Sequence, residues 1–220
     1  MSKSNKLRKT QEQFGGGRSM FNDAAKCHET NVLDTAYEVL HELNKKYNDC
    51  FILETKLSKK DIAQSLGFKN YKSQGRDSFV KPDGGIIYYV KNNKKYPVLI
   101  TEAKKQGTND IRATEGKAKQ GKGNAIERAY KNYKELELYC KNLPVFPYVI
   151  FAYGCDFEDG SSINDRLDAM TEYLPRNKIY TGTKHKIVNL FVRANSFTKD
   201  EIYNIMLKVA QKSFKELKNV

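Results

Sequence analysis

Two carboxylates and a lysine are the residues best suited to chemistry. Asp83 lies in Lys81-Pro82-Asp83-Gly84-Gly85, and Glu102 and Lys104 lie in Thr101-Glu102-Ala103-Lys104. Hydrolysis of a phosphodiester calls for a hard cation that neutralises developing charge and activates water. Mg²⁺ takes oxygen ligands, typically one or two carboxylates with phosphate and water. Asp83 and Glu102 are the candidate ligands, and the backbone carbonyl of Ala103 is free to be another. Lys104 follows Glu102 by two residues, so on a strand the two side chains share a face. A lysine there holds the attacking water, or takes its proton if its own pKa is depressed. Each piece alone has an ordinary explanation: Pro-Asp-Gly-Gly is turn chemistry, and Glu-x-Lys is common on solvated strands. Together, at hairpin spacing in a basic chain, they favour a metal-dependent nuclease centre.

A hairpin is the element that must position them. Ile86 to Val90 is strand-like, Asn92-Asn93 makes a turn, and Tyr96 to Thr101 is a second strand. The 18 residues between Asp83 and Glu102 hold both strands and the turn. Antiparallel neighbours lie ~4.8 Å apart, so the hairpin brings both carboxylates to one end of a sheet.

A second constellation follows at Gly123-Asn124-Ala125-Ile126-Glu127-Arg128. Asn124 stands before a helix with Glu127 three residues on, which is a capping-box arrangement and needs no ligand. The same geometry also serves recognition. A helix N-terminus with exposed N–H groups favours phosphate, and an Asn amide can bond adenine N6 and N7 in the major groove. Arg128 lies on the first turn beside it, Gly121 and Gly123 allow close backbone approach, and Lys117, Lys119 and Lys122 supply phosphate contacts. Both interpretations stand on the residues alone.

The remaining segments supply scaffold. Residues 1–19 are polar, basic and Gly-rich, and predict a flexible cationic arm or a frayed terminus. Helices are predicted from about Asn31 to Tyr47, after the Ser58–Asp61 capping box with Gly67 as its stop, from Ala125 to about Asn142, from Ile163 to Leu174, and from Phe197 to Leu217. Residues 68–80 read as a basic loop, and 105–123 as a long polar loop of the kind that carries function. Pro147 to Tyr153 suits a buried central strand, and Lys186 to Arg193 is another strand. The order of elements predicts an α/β fold, a mixed central sheet flanked by helices on both faces.

The totals bound the function. A chain of 220 residues with 39% apolar and 30% charged residues suits one soluble domain. No apolar run approaches the ~18 residues a membrane span needs, and no signal peptide opens the chain. The net charge of +13 favours a polyanionic partner. Cys27, Cys50, Cys140 and Cys155 form no CxxC pair and read as reduced thiols in a cytosol. No Cys or His pair has zinc-ligand spacing, and His28, His41 and His185 lie far from the carboxylates in sequence. The 14 tyrosines are spread along the chain, as packing residues rather than a base-stacking platform.

With these residues in view, the chain resembles the EcoRI family of type II restriction endonucleases. The resemblance rests on Lys-Pro-Asp-Gly-Gly, on Glu-Ala-Lys-Lys-Gln-Gly (102–107) and, most specifically, on Gly-Asn-Ala-Ile-Glu-Arg (123–128). It extends through Phe146 to Phe151, Asn164-Asp-Arg-Leu-Asp168 and Ile179-Tyr-Thr-Gly182, in family order over most of the chain. It implies a restriction-endonuclease-like core over residues 20–220, with a catalytic hairpin at 81–104 and a DNA-reading loop and helix start at 105–128. It implies a cytoplasmic homodimer that cuts a palindromic duplex with Mg²⁺ and leaves 5′-phosphates and 5′ overhangs. A companion DNA methyltransferase acting on the same site, not a stable subunit, is the further partner it implies. Asp83, Glu102 and Lys104 match the catalytic triplet. Asn124, Ala125 and Arg128 match readers of the inner adenines, Glu127 bridges readers across the dimer, and an AATT core follows. Gln106, Gly123 and Arg166 fall in the same DNA-contacting segments.

Three positions depart from the family pattern. The region between Phe157 and Asn164 is much shorter than in GAATTC cutters. Ala169 replaces a second Arg. Lys122 precedes Gly123 where CAATTG cutters carry Arg, and Lys can bond guanine O6 and N7, so Lys122 is expected either to read an outer guanine or to contact phosphate. A shape-reading nuclease of the same core and a catalytically silent DNA-binding protein are the competing interpretations. The base-reading segment opposes the first and the intact triplet opposes the second.

Overall fold

Asn92 and Asn93 both adopt left-handed backbone conformations, with φ of 50° and 60°. That is what a two-residue hairpin turn requires, and asparagine tolerates it. The turn joins β4 (Ile86–Lys91) to β5 (Lys94–Lys105), an antiparallel pair. The register shifts between Ile87 and Tyr88, where Leu99 and then Pro97 are the partners, so Val98 is the extra residue of a β-bulge. The bulge accommodates Pro97, which has no N–H to give to a ladder.

The computed structural model describes residues 15–48, 50–72, 78–106, Gly116, 124–154, Phe157, 167–168, 176–179 and 189–220, of which 15–22 and 124–128 are described by backbone alone. Its elements in chain order begin with α1 (Gly15–Tyr47), β1 (Phe51–Glu54), β2 (Leu57–Ser58), α2 (Lys59–Ser65) and β3 (Phe79–Val80). After the β4–β5 hairpin come α3 (Asn124–Tyr139), β6 (Tyr148–Tyr153), β7 (Asn189–Arg193) and α4 (Lys199–Leu217). The main sheet has the order β1-β4-β5-β6-β7. β1, β4 and β5 pair antiparallel, whereas β5–β6 and β6–β7 are parallel. The sheet is therefore mixed, as expected, and β2 and β3 form a separate small pair.

Helices cover both faces. On one face Val32, Ala36, Val39 and Leu43 of α1 pack with Ile202, Met206 and Val209 of α4 over Leu99, Ala103, Val149 and Phe151. On the other, Ala129, Tyr133 and Leu136 of α3 and Ile62 of α2 pack over Ile86, Ile100, Tyr148 and Ile150. Alternation along β5 sends Ile100, Glu102 and Lys104 toward α3, and Ala103 toward α1. β6 is buried almost throughout, as a strand covered on both faces must be.

Several boundaries differ from the sequence expectation. α1 starts at Gly15, so 15–19 are helical rather than part of an arm, and residues 1–14 lie outside the described residues. Extending a formed helix costs little where Ala24, Ala25 and Lys26 favour it. β1 was not anticipated. Ser58 caps α2 through its side chain, which accepts from the Asp61 N–H at 3.0 Å, and Gly67 follows with φ of 91°. Of the helix expected at 163–174 only Leu167 and Asp168 are described, both helical. Among the described residues no helix is long and apolar enough to cross a membrane.

Candidate metal centre and cleft

The turn that carries Asp83 is pinned to β5 by its backbone. Gly85 N–H donates to Pro82 O at 3.0 Å, Gly84 N–H to Thr101 O at 3.0 Å, and Thr101 N–H to Gly85 O at 3.2 Å. Gly84 fits because it has no Cβ. One built there would lie 2.1 Å from Thr101 Oγ1 and 2.7 Å from Val32 Cγ1. The outcome is that Asp83 Oδ2 accepts the Ala103 N–H at 3.1 Å. Two residues 20 apart in the chain therefore share one corner of the sheet.

Three oxygens converge on one nitrogen there. Lys104 Nζ donates to Asp83 Oδ2 at 2.5 Å and to Ala103 O at 2.8 Å. It also lies 2.7 Å from Glu102 Oε1. Glu102 is 1% exposed. Its Oε1 accepts from Asn132 Nδ2 at 3.1 Å, and the Asp83 N–H approaches its Oε2 at 3.4 Å. Burial pushes the Glu102 carboxyl up to about 7, Lys104 draws it down, and Asp83 adds to the rise. For Lys104 burial acts downward, but the two carboxylates outweigh it and hold the ammonium above its ordinary range. A lysine so placed is charged, and its proton-accepting role has no support in this geometry.

The donor set fits Mg²⁺. Two carboxylates and a carbonyl are hard oxygen ligands in the number such a site takes from protein. They already surround a cation, the Lys104 ammonium. Among the described residues no group of three or more His, Cys, Asp and Glu side chains assembles, so a site of zinc type is not formed.

The centre opens into a cleft of about 700 Å³. Asp83, Glu102, Ala103 and Lys104 line it together with Glu29 of α1, Lys59 of α2, and Lys131, Asn132 and Glu135 of α3. Burial of Glu29 and the charge of Asp83 raise its carboxyl. Lys59 is ion-paired with Glu135 across the cleft, and Lys131 is exposed at its mouth.

The other sequence-predicted residues are placed as follows. Gln106 ends β5, with its N–H donating to Tyr153 O at 2.9 Å. It is 6% exposed, and Oε1 takes no hydrogen bond among the described residues. Gly154 sets this junction, because a Cβ there would lie 1.6 Å from Gln106 O. Asn124, Ala125, Glu127 and Arg128 form the first turns of α3 in backbone, and their side chains lie outside the described residues. Lys117, Lys119, Lys122, Gly123 and Arg166 also lie outside them. Sequence reasoning missed Lys59, Lys131 and Asn132. The signal available was the position of Lys131 and Asn132 one turn beyond Arg128; Lys59 reaches the cleft only through tertiary structure.

Comparison with known proteins shows which family the chain resembles. The family model for restriction endonuclease EcoRI matches residues 14–174. The type II restriction enzyme RsrI of Cereibacter sphaeroides is 30% identical over 251 aligned residues, covering 93% of this chain and 90% of that protein. The type II restriction enzyme EcoRI of Escherichia coli is 29% identical over 231, covering 94% of this chain and 83% of that protein. The match spans the hairpin, the start of α3 and β6. The chain belongs to the EcoRI family of type II restriction endonucleases.

Proposed function

We propose that the chain cuts duplex DNA with Mg²⁺ at a palindromic site with an AATT core, CAATTG or GAATTC, and leaves 5′-phosphates. The observation that carries this is the convergence of Asp83 Oδ2, Glu102 Oε1 and Ala103 O on one cationic nitrogen. These three oxygens would hold the metal. When bound, Mg²⁺ neutralises charge on the phosphate and lowers the pKa of its water. Asp83 and Glu102 supply the negative charge that retains it, and burial of Glu102 makes the site dry. Lys104, charged, is placed to hold the attacking water or a phosphate oxygen by its N–H donors. Lys131, exposed at the cleft, would attract the DNA backbone.

Recognition is assigned to the start of α3 at Asn124, because a helix N-terminus favours phosphate. Asn124, Ala125 and Arg128 read the inner adenines, Glu127 bridges to a second copy, and Lys122 reads an outer guanine or holds phosphate. Gly123, Lys117, Lys119, Gln106 and Arg166 complete the proposed DNA-contacting set. The active unit is a homodimer, matching the symmetry of a palindrome. Among the described residues Cys27, Cys50 and Cys140 form no disulfide, the state a reducing cytoplasm favours.

The test is digestion of a long sequenced DNA with Mg²⁺ followed by sequencing of fragment ends. Ends sharing an AATT-centred palindrome are expected, and they give the outer base pair directly. Random ends would overturn the site assignment. No cutting, with selective binding in Ca²⁺, would favour the silent DNA-binding protein.

A further inference from the structure

We propose that Asn132 is a positioning residue for Glu102 and that it ties the reading end of α3 to the metal centre. The inference deepens the function proposed above and rests on it. Among the described residues Glu102 has three donors: Lys104 Nζ, the Asp83 N–H and Asn132 Nδ2. The first two belong to the turn and strand that carry the candidate ligands. Asn132 alone comes from another element, 30 residues along the chain. An ionised carboxylate only accepts, so the NH₂ of Asn132 is the group that faces it. A neutral donor suits this place, because it orients Oε1 without competing as a cation for the centre.

The helix makes the contact informative. α3 runs without interruption from Asn124 to Tyr139. Asn132 is therefore eight residues from the first reading position, about 12 Å at the rise of an α-helix. Ala129, Tyr133 and Leu136 flank it and are buried against the sheet, which fixes the rotation of the helix at this turn. A shift of the first turn on a wrong base sequence is carried along one rigid rod to the Glu102 carboxylate. No loop lies between the two sites. Outer partners of metal ligands commonly contribute about 10- to 100-fold in metal affinity or activity.

The experiment uses the full chain with Asn132→Ala and the near-isosteric, uncharged Asn132→Leu. Mn²⁺ binding is measured without DNA by electron paramagnetic resonance. Binding of the preferred duplex and of a scrambled one is measured in Ca²⁺, and single-turnover cleavage in Mg²⁺. Both variants are expected to bind Mn²⁺ about 10-fold more weakly or worse and to cleave about 10- to 100-fold more slowly. Selective duplex binding is expected to stay within about threefold of wild type. Wild-type Mn²⁺ affinity in both variants would overturn the inference while leaving the proposed function standing. So would unchanged metal binding with weakened binding of both duplexes, which would make Asn132 a DNA contact. A wild-type protein that neither binds Mn²⁺ nor cuts would remove the proposed function, and this inference with it.

Discussion

Glu102 sits in a conflict between burial and charge. Its carboxyl is raised from 4.5 to about 7, chiefly by burial. In the metal-free fold it therefore binds a proton more tightly than in the unfolded chain. That contribution to stability is present below about pH 4.5 and is lost as the pH climbs toward 7. The metal needs the anion, so below about pH 7 it must displace a proton. Apparent Mg²⁺ affinity is expected to fall roughly tenfold per unit as the pH drops through this range, and to level off above it. Titration of Mn²⁺ or Mg²⁺ at several pH values measures this, and a flat profile between pH 5 and 8 would contradict it. Gly84 poses a second test at this scale. Gly84→Ala drives a methyl into Thr101 and Val32, both fully buried. A loss of about 1–3 kcal/mol is expected from overpacking. Chemical denaturation measures it, and cleavage should fall further than stability because the Asp83 turn is what moves.

Elements hold the centre by their edges as much as by their core. The outer edge of β1 is closed by Asn44, whose amide donates to Phe51 O at 3.0 Å and accepts its N–H at 2.8 Å. The outer edge of β7 is closed in the same way by Asn177, which accepts the Val192 N–H at 2.8 Å and donates to Val192 O at 3.3 Å. Each side chain imitates one residue of a missing strand and blunts an edge that would pair with other chains. Asn177→Ala leaves both groups of Val192 unpaired in a half-buried site, and is expected to cost about 1–3 kcal/mol and to promote aggregation on heating. A melting curve with light scattering checks this; an unchanged curve would show that water replaces the amide without loss. These contacts also mark where the sequence was silent. β4, β5 and β6 were legible because alternation, an Asn-Asn turn and a long apolar run are local signals. Phe51-Ile-Leu-Glu54 carries no alternation, and becomes a strand because β4 pairs with it. The same holds for Asn132, which reads as a polar helix residue until Glu102 is brought beside it.

At the scale of the molecule the two kinds of signal met. The Asp83–Glu102–Lys104 constellation was legible because a hairpin converts an 18-residue spacing into adjacency. The family was legible because the segment from Gly123 to Arg128 resembles its most specific motif. What sequence could not supply was the depth of the cleft, because burial of Glu102 on β5 depends on α3 packing over that face of the sheet. Lys131 joins that cleft exposed, Lys59 joins it paired with Glu135, and the net charge of +13 suits the molecule to a phosphate backbone.

The central claim is that the buried carboxylate of Glu102 holds the metal that cleavage requires. Single-turnover cutting of a short cognate duplex by Glu102→Gln, beside wild type, tests it most directly. The neutral side chain relieves the burial penalty, so the metal-free variant is expected to be more stable above pH 7, by about 1–3 kcal/mol. Loss of cutting then cannot be ascribed to unfolding. Glu102→Gln is expected to bind the duplex in Ca²⁺-free buffer as wild type does and to cleave at least about 10³-fold more slowly in Mg²⁺. Cutting within about tenfold of wild type, at the same site, would contradict it and place the metal elsewhere in the molecule.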